Sequence, residues 1–152
     1  MPTHAERRIL PYTPDQLYGL VADVGRYPEF LPWCIAARIK QRQTDGEGRE
    51  VLVADMVIGF KMFRENFTSR VTLDPAKRTI HVAYVTGPMK RMTNRWEFLP
   101  HGAACEVDFF VDFEFRSRLL QKTIELLFHE AVKRMVAAFE GRARQLYGAP
   151  GS

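Results

Sequence analysis

At 152 residues, with 46% hydrophobic and 26% charged side chains, the chain has the size of one domain, able to bury about 68–70% of its unfolded surface. No apolar run approaches the ~18 residues that a membrane span requires. The formal charge of +4 is scattered along the chain rather than blocked, so it reads as solvated surface and excludes a dedicated basic tail. The start MPTHAERRIL has neither a signal-peptide core nor transit-peptide composition, and Cys34 and Cys105 form no CxxC pair. A cytoplasmic protein with reduced thiols is expected, its residues 1–152 forming one domain.

His4 to Leu10 reads as a short strand. Thr13-Pro14-Asp15-Gln16 then has the form of a capping box, with Thr13 as N-cap, Pro14 at the first helical position and Gln16 reaching back. Leu17, Leu20, Val21 and Val24 give the helix one apolar face, and Gly25 is expected to end it. The stretch GRYPEFLPWC follows, placing Tyr27, Phe30, Leu31 and Trp33 around Pro28 and Pro32. Two prolines so close exclude an ordinary helix or a central strand, which leaves a structured apolar loop. Phe30, Leu31 and Trp33 could form a cavity lid or a membrane-touching tip, or could pack the short helix onto a sheet.

Ile35 to Gln43 and Glu50 to Gly59 read as a hairpin joined at Asp45-Gly46-Glu47-Gly48. Lys61 to Leu73 alternates with its odd residues inward, Glu65 and Ser69 being polar exceptions beside Phe67. Lys77 to Thr86 is a further strand, and Gly87-Pro88 a turn. Met89 to Leu99 puts Met92, Asn94, Trp96 and Phe98 on one side, before a turn at Pro100 and Gly102. Val107, Phe109, Val111, Phe113 and Phe115 alternate with Glu106, Asp108, Phe110, Asp112 and Glu114, so one face is oily and the other largely acidic.

Ser117 is placed to cap a long helix reaching about Tyr147, with Leu120, Ile124, Leu127, Phe128, Ala131, Met135, Ala138 and Phe139 as its apolar stripe. About 31 residues at 1.5 Å each give roughly 45 Å, so the turns beyond Gly141 are expected to overhang the sheet or bend. The element order describes an α+β, helix-grip arrangement, a curved antiparallel sheet wrapped around a terminal helix. What such a sheet does not fill is an apolar cavity.

The chain offers no catalytic motif. His4, His81, His101 and His129 are isolated, and no HExxH, GxSxG or phosphate loop occurs, so neither catalytic residues nor metal ligands are expected. The carboxylates Glu106, Asp108, Asp112 and Glu114 belong to the solvent side of their strand. Glu65 and Ser69, on an inward face, must lie at an open rim, pair with a group such as Arg95 or Asn94, or face the polar head of a ligand. Ser69 or Asn94 can donate to a ligand carbonyl. An ionised Glu65 cannot.

The strings VGRYPEFLPWC, FTSRV, TGPMKRMTNRWEF and VDFFVDFEFRSRLLQ together resemble the coenzyme Q-binding START-like family, within the polyketide cyclase and Bet v 1-like superfamily. The likeness runs over almost the whole chain. It implies a helix-grip fold with a hydrophobic tunnel for ubiquinone or a related lipid, no catalytic cofactor, and an accessory role in quinone delivery and respiration. By that resemblance the tunnel would be lined by Phe30, Leu31, Trp33, Phe67, Ser69, Met89, Asn94 and Trp96 and by Phe113, Phe115, Leu120, Ile124, Phe128, Ala131 and Met135. Met89 stands where many members carry Phe, which changes the shape of the pocket.

Three functions follow in order. The first is a non-catalytic ubiquinone carrier, cytoplasmic and peripheral at the inner membrane, that contacts the membrane transiently and binds no DNA. The second comes from bacterial relatives of the family described as toxins that block ribosomal subunit association, for which the ribosome would be the partner. The third is an aromatase or cyclase like other members of the superfamily, against which the missing acid/base constellation counts.

Overall fold

The structure, a computed structural model, describes residues 3–31, 34–60 and 63–148. Seven strands form one antiparallel sheet in the order β1-β7-β6-β5-β4-β3-β2. They are β1 (Thr3–Leu10), β2 (Cys34–Thr44), β3 (Glu50–Phe60), β4 (Phe63–Asp74), β5 (Thr79–Thr86), β6 (Met89–His101) and β7 (Ala104–Phe115). The first strand pairs with the last, and β2 forms the opposite edge, so the chain crosses the sheet once between β1 and β2. Helix α1 (Pro14–Ala22) and a 3-10 turn (Val24–Glu29) make that crossing. Helix α2 (Arg118–Tyr147) grips the concave face, and the whole is the α+β helix-grip arrangement.

Local chemistry accounts for the elements. The Thr13 hydroxyl accepts from the Gln16 N–H at 3.1 Å, the Gln16 side chain accepts from the Thr13 N–H at 3.0 Å, and Pro14 opens the helix. Helix α1 ends at Ala22, three residues before Gly25, because the chain tightens at once into the 3-10 turn. Pro28 sits inside that turn. Its bonds run from Arg26 N–H to Asp23 O and from Phe30 and Leu31 N–H to Tyr27 O, so none needs an N–H at Pro28. The stretch expected to form a structured apolar loop is therefore partly 3-10 helical. Similarly, β6 continues through Pro100, which pairs with Cys105 next to the β6–β7 turn.

The core follows the two-residue alternation of the strands. Leu52 and Ala54 on β3, Val71 and Leu73 on β4, Ile80 on β5, Phe98 on β6 and Cys105, Val107, Phe109 and Phe113 on β7 are buried. Leu17, Leu20 and Val21 close one end of this layer. In α2, capped by the Ser117 hydroxyl on Leu120 N–H at 3.2 Å, the buried residues are Val132, Phe139 and Ala143.

The two ends of α2 are not equivalent, and the turns expected to overhang the sheet or bend are instead packed down. Beyond Gly141, Ala143 is fully buried. The Tyr147 hydroxyl donates to Gln16 O at 2.9 Å, Tyr12 donates to Gly148 O at 3.2 Å, and Arg142 reaches Glu29 at 2.9 Å. Helix α1 and the 3-10 turn thus extend the support beyond the sheet. The first half of α2, up to Ala131, has no buried residue.

The β5–β6 turn is tight at Gly87, whose φ is +150°. A Cβ there would stand 2.7 Å from the Phe67 Cβ and 3.0 Å from Asn66 O. Gly87→Ala is therefore expected to cost about 1–3 kcal/mol, measured by thermal denaturation. An unchanged melting temperature would show that the turn can move away from β4.

Candidate functional site

Between the concave face and the half-buried stretch of α2 lies a cavity of about 310 Å³. Strand β3 contributes Met56 and Ile58, and β4 contributes Phe67, Ser69 and Val71. Ile80 and Val82 come from β5, and Met89, Met92, Asn94 and Trp96 from β6. Strand β7 adds Phe109, Val111, Phe113 and Phe115, while α2 closes the roof with Ile124, Leu127, Phe128, Ala131, Val132, Met135 and Phe139. Val24, Tyr27 and Leu31 wall the end under the 3-10 turn. The volume lies at the small end of the ~300–1,000 Å³ typical of ligand pockets. A second hollow of about 50 Å³ beside α1 shares Trp96, Phe109, Met135 and Phe139 with the first.

Polar groups on this wall are few. Trp96 donates its indole N–H to the Asn94 side-chain oxygen at 2.9 Å, and the Asn94 amide donates to Phe110 O at 2.9 Å. Asn94 is thereby committed to holding the Trp96 ring in place. The Tyr27 phenol donates to Val21 O, and burial raises its pKa. Ser69 is 2% exposed, and its hydroxyl has no hydrogen-bond partner among the described residues. An unsatisfied buried hydroxyl costs about 1–3 kcal/mol, so Ser69 is the wall's one polar group with unspent capacity in full. Glu65 is not on the wall; it borders a shallow surface hollow with Arg64, Asn66, Gly87 and Pro88, the open-rim alternative.

Of the residues singled out in the sequence, Leu31, Phe67, Ser69, Met89, Asn94 and Trp96 surround the cavity together with Phe113, Phe115, Ile124, Phe128, Ala131 and Met135. Trp33 lies outside the described residues. Phe30 and Leu120 do not reach the wall. The Phe30 ring is wedged edge-on between Tyr27 and Phe139, with centroids 5.9 and 5.3 Å away, and the Arg142 guanidinium covers it at 5.1 Å. Leu31 is 3% exposed, so neither residue projects as a membrane-touching tip. Phe30 packs the end of the 3-10 turn onto α2, the blander of the sequence alternatives, while Leu31 walls one end of the cavity.

The wall residues that the sequence reading did not assign to the site include Tyr27, Met56, Ile58, Ile80, Val82 and Val132, besides residues such as Met92, Phe109, Val111, Leu127 and Phe139 that it placed on inward faces only. Strand β3 is apolar on both faces around Val51 to Ala54, so alternation carries no direction there. Val132 sits one turn after Phe128, a spacing that was available. His4, read from the sequence as an isolated histidine, has neighbours that the sequence did not show. It lies on the inner face of β1, 5.4 Å from the Phe128 ring and 6.1 Å from Phe109, with Glu6 at 3.3 Å.

The outer face of β7 behaves as solvent-side carboxylates do. Arg91 pairs with Asp112 at 3.1 Å and with Glu114, and Arg7 pairs with Asp108 at 3.5 Å. The Arg91 hydrogen bond holds the Asp112 carboxyl below its ordinary value. Among the described residues no group of His, Cys, Asp and Glu could hold a metal, and no helix is long and apolar enough to cross a membrane. Burial pushes the thiols of Cys34 and Cys105 up to about 11. Neither thiol is expected to react with an alkylating reagent at mildly alkaline pH in the folded protein, and both should react once it is unfolded. Because the folded value is raised, stability should decline as pH climbs from the ordinary thiol value of 9.0 towards 11. Rapid labelling of the native protein would contradict this placement.

Residues 10–140 match a family described as polyketide cyclase / dehydrase and lipid transport. The ribosome association toxin RatA of Rickettsia prowazekii is 37% identical over 142 residues, covering 91% of this chain and 94% of that protein. The mitochondrial coenzyme Q-binding protein COQ10 homolog B of Xenopus laevis is 30% identical over 149 residues, 95% of this chain and 59% of its own length. Among solved structures, an 18 kDa protein from Caulobacter crescentus superposes with a TM-score of 0.84 at 41% identity, over 98% of this chain and all of that one. The Zhui aromatase/cyclase from Streptomyces sp. R1128 superposes at 0.81 with 20% identity, over 99% of each chain, a likeness of fold.

Proposed function

Since the chain belongs to the polyketide cyclase / dehydrase and lipid transport family, we propose that its cavity takes a prenylated quinone of the ubiquinone class, or a related lipid, as a non-catalytic carrier site. The observation that carries the reading is an apolar wall holding one buried hydroxyl, Ser69, with no protein partner among the described residues. The Ser69 hydroxyl would donate to a head-group carbonyl, and the aromatic surfaces of Trp96, Phe113 and Phe128 would enclose the ring and the first isoprene units. Ser69 on β4 and Asn94 on β6 stand two strand spacings apart, roughly 10 Å, so one carbonyl meets one of them. Asn94 spends its oxygen on Trp96 and one amide N–H on Phe110, whereas the Ser69 hydroxyl is wholly unspent, which favours Ser69 as the donor. The name of the Xenopus relative, coenzyme Q-binding, supports this ligand class.

Energetics favour exchange over permanent retention. Moving a tail from water into the cavity is worth ~0.8 kcal/mol per CH₂, whereas moving it from a bilayer is nearly neutral. A site of this kind loads from a membrane and unloads into one. Cyclase chemistry has no support from the wall, where Ser69, Asn94 and the hydrogen-bonded Tyr27 are the polar groups and no carboxylate or imidazole stands among the described lining residues.

Calorimetric titration with a short-chain ubiquinone tests the proposal. One saturable site is expected, and Ser69→Ala should weaken it roughly fivefold to tenfold without lowering the melting temperature, since no protein hydrogen bond is lost. Absence of saturable binding would overturn the reading.

A second reading rests on the Rickettsia relative, whose name is ribosome association toxin and 94% of whose length is matched. Here the surface cations would contact ribosomal RNA, and the cavity would be incidental. Co-sedimentation with isolated ribosomal subunits should then weaken steeply as salt rises from 50 to 200 mM, and filling the cavity should leave it unchanged.

A further inference from the structure

The half of α2 that roofs the cavity has an unusual outer side. Leu119 is 78% exposed and Leu126 84% exposed, more than any other large hydrophobic residue described. Seven residues apart, they share one stripe of the helix, opposite the inward Ile124, Phe128 and Ala131. Lys122 stands between them on the same stripe, and Lys133 follows one heptad beyond Leu126. Both lysines are exposed and have no carboxylate partner among the described residues. Arg116 and Arg118, exposed at the helix start, have none either. The nearby carboxylates are engaged along the helix, Glu130 by Arg134 at 2.8 Å and Glu125 by Gln121 at 3.1 Å.

A single exposed leucine needs no explanation. Two of them at the extreme of exposure, interleaved with unpaired cations, form the pattern that lets a helix lie in a membrane interface, apolar groups among the acyl chains and cations at the phosphates. We infer that the outer face of α2 from Arg116 to Lys133 docks the protein on an anionic phospholipid bilayer, with Leu119 and Leu126 inserted and Lys122 and Lys133 on the headgroups. The inference rests on the carrier reading for its purpose, because the same helix segment forms the cavity roof through Ile124, Leu127 and Phe128. Docking there brings the roof of the cavity to the bilayer in which the lipid is stored. It also locates the membrane contact on α2 instead of on the loop at Phe30 and Leu31.

Flotation with vesicles of one part phosphatidylglycerol to two parts phosphatidylcholine, against vesicles of pure phosphatidylcholine, tests the inference. The intact protein should float with the anionic vesicles and not with the neutral ones. The double variant Leu119→Ser, Leu126→Ser should lose roughly tenfold or more in partition, and Lys122→Glu, Lys133→Glu at least as much. Because all four side chains are exposed, both variants should melt with the parent. Ala131→Trp, which fills the cavity, should float normally while losing quinone; a parent protein that floats yet binds no quinone would sink the carrier reading alone. Quinone binding without flotation, or undiminished flotation of the leucine variant, would overturn the docking face. So would sedimentation showing a dimer of the parent that the leucine variant dissociates, since that assigns the stripe to a second copy of the chain.

Discussion

Ala131→Trp is expected to abolish lipid binding, by at least tenfold in affinity, while leaving the melting temperature of the lipid-free protein nearly unchanged. Ala131 lies on the roof of the cavity between Phe128 and Met135, in the part of α2 that has no buried residue. An indole at that position enters empty space. In a filled core the same substitution would force neighbours aside at a cost of typically 1–3 kcal/mol. The paired readout therefore separates two structures: loss of ligand at constant stability requires a true cavity, and a sharp fall in melting temperature would mean that sheet and helix are packed together.

Phe139→Ala should have the opposite signature. Phe139 is 7% exposed, and its ring meets those of Tyr27, Phe30 and Trp96 at centroid distances of 5.8, 5.3 and 5.6 Å. It also borders both hollows. Truncation removes the aromatic junction that joins the 3-10 turn, β6 and α2, and enlarges the void. The expected loss is about 3–5 kcal/mol, which for a chain of this length lowers the melting temperature by roughly 10 °C. A shift of only a degree or two would show that the turn is held to α2 mainly by Arg142 and Glu29, not by the ring cluster.

Those two residues illustrate how far the sequence could be read. Phe128, Ala131, Met135 and Phe139 fall on one side of a helix by period alone, and the Ser117 cap and the Thr13 capping box announce where the helices begin. Strand β7 was legible for the same reason, since apolar residues alternate with a face that is acidic except at Phe110. Strand β3 was not, because apolar residues occupy both of its faces and leave the direction of Met56 and Ile58 undetermined. Phe30 shows a second limit. An aromatic residue in a proline-flanked stretch has the same composition whether it is a lid or a wedge, and the group that decides, the Arg142 guanidinium over its ring, is supplied from the far end of the chain. The expected overhang of the last turns does not occur, because α1 supports Ala143 and Tyr147 beyond the sheet, which helix length set against sheet width cannot show. Leu119 and Leu126 were invisible for the converse reason: they interrupt the polar side of α2, and only a three-dimensional placement shows that nothing in the described chain covers them.

On the carrier reading, the space under α2 holds a lipid. Organic extraction of the natively purified protein, followed by lipid mass spectrometry against an Ala131→Trp control prepared in parallel, tests it most directly. A prenylated quinone, or a lipid with a comparable carbonyl head, should be recovered from the parent and be absent from the control. Equal and negligible lipid in both preparations, with the parent still co-sedimenting with ribosomal subunits, would contradict it and put the ribosome-binding reading in its place.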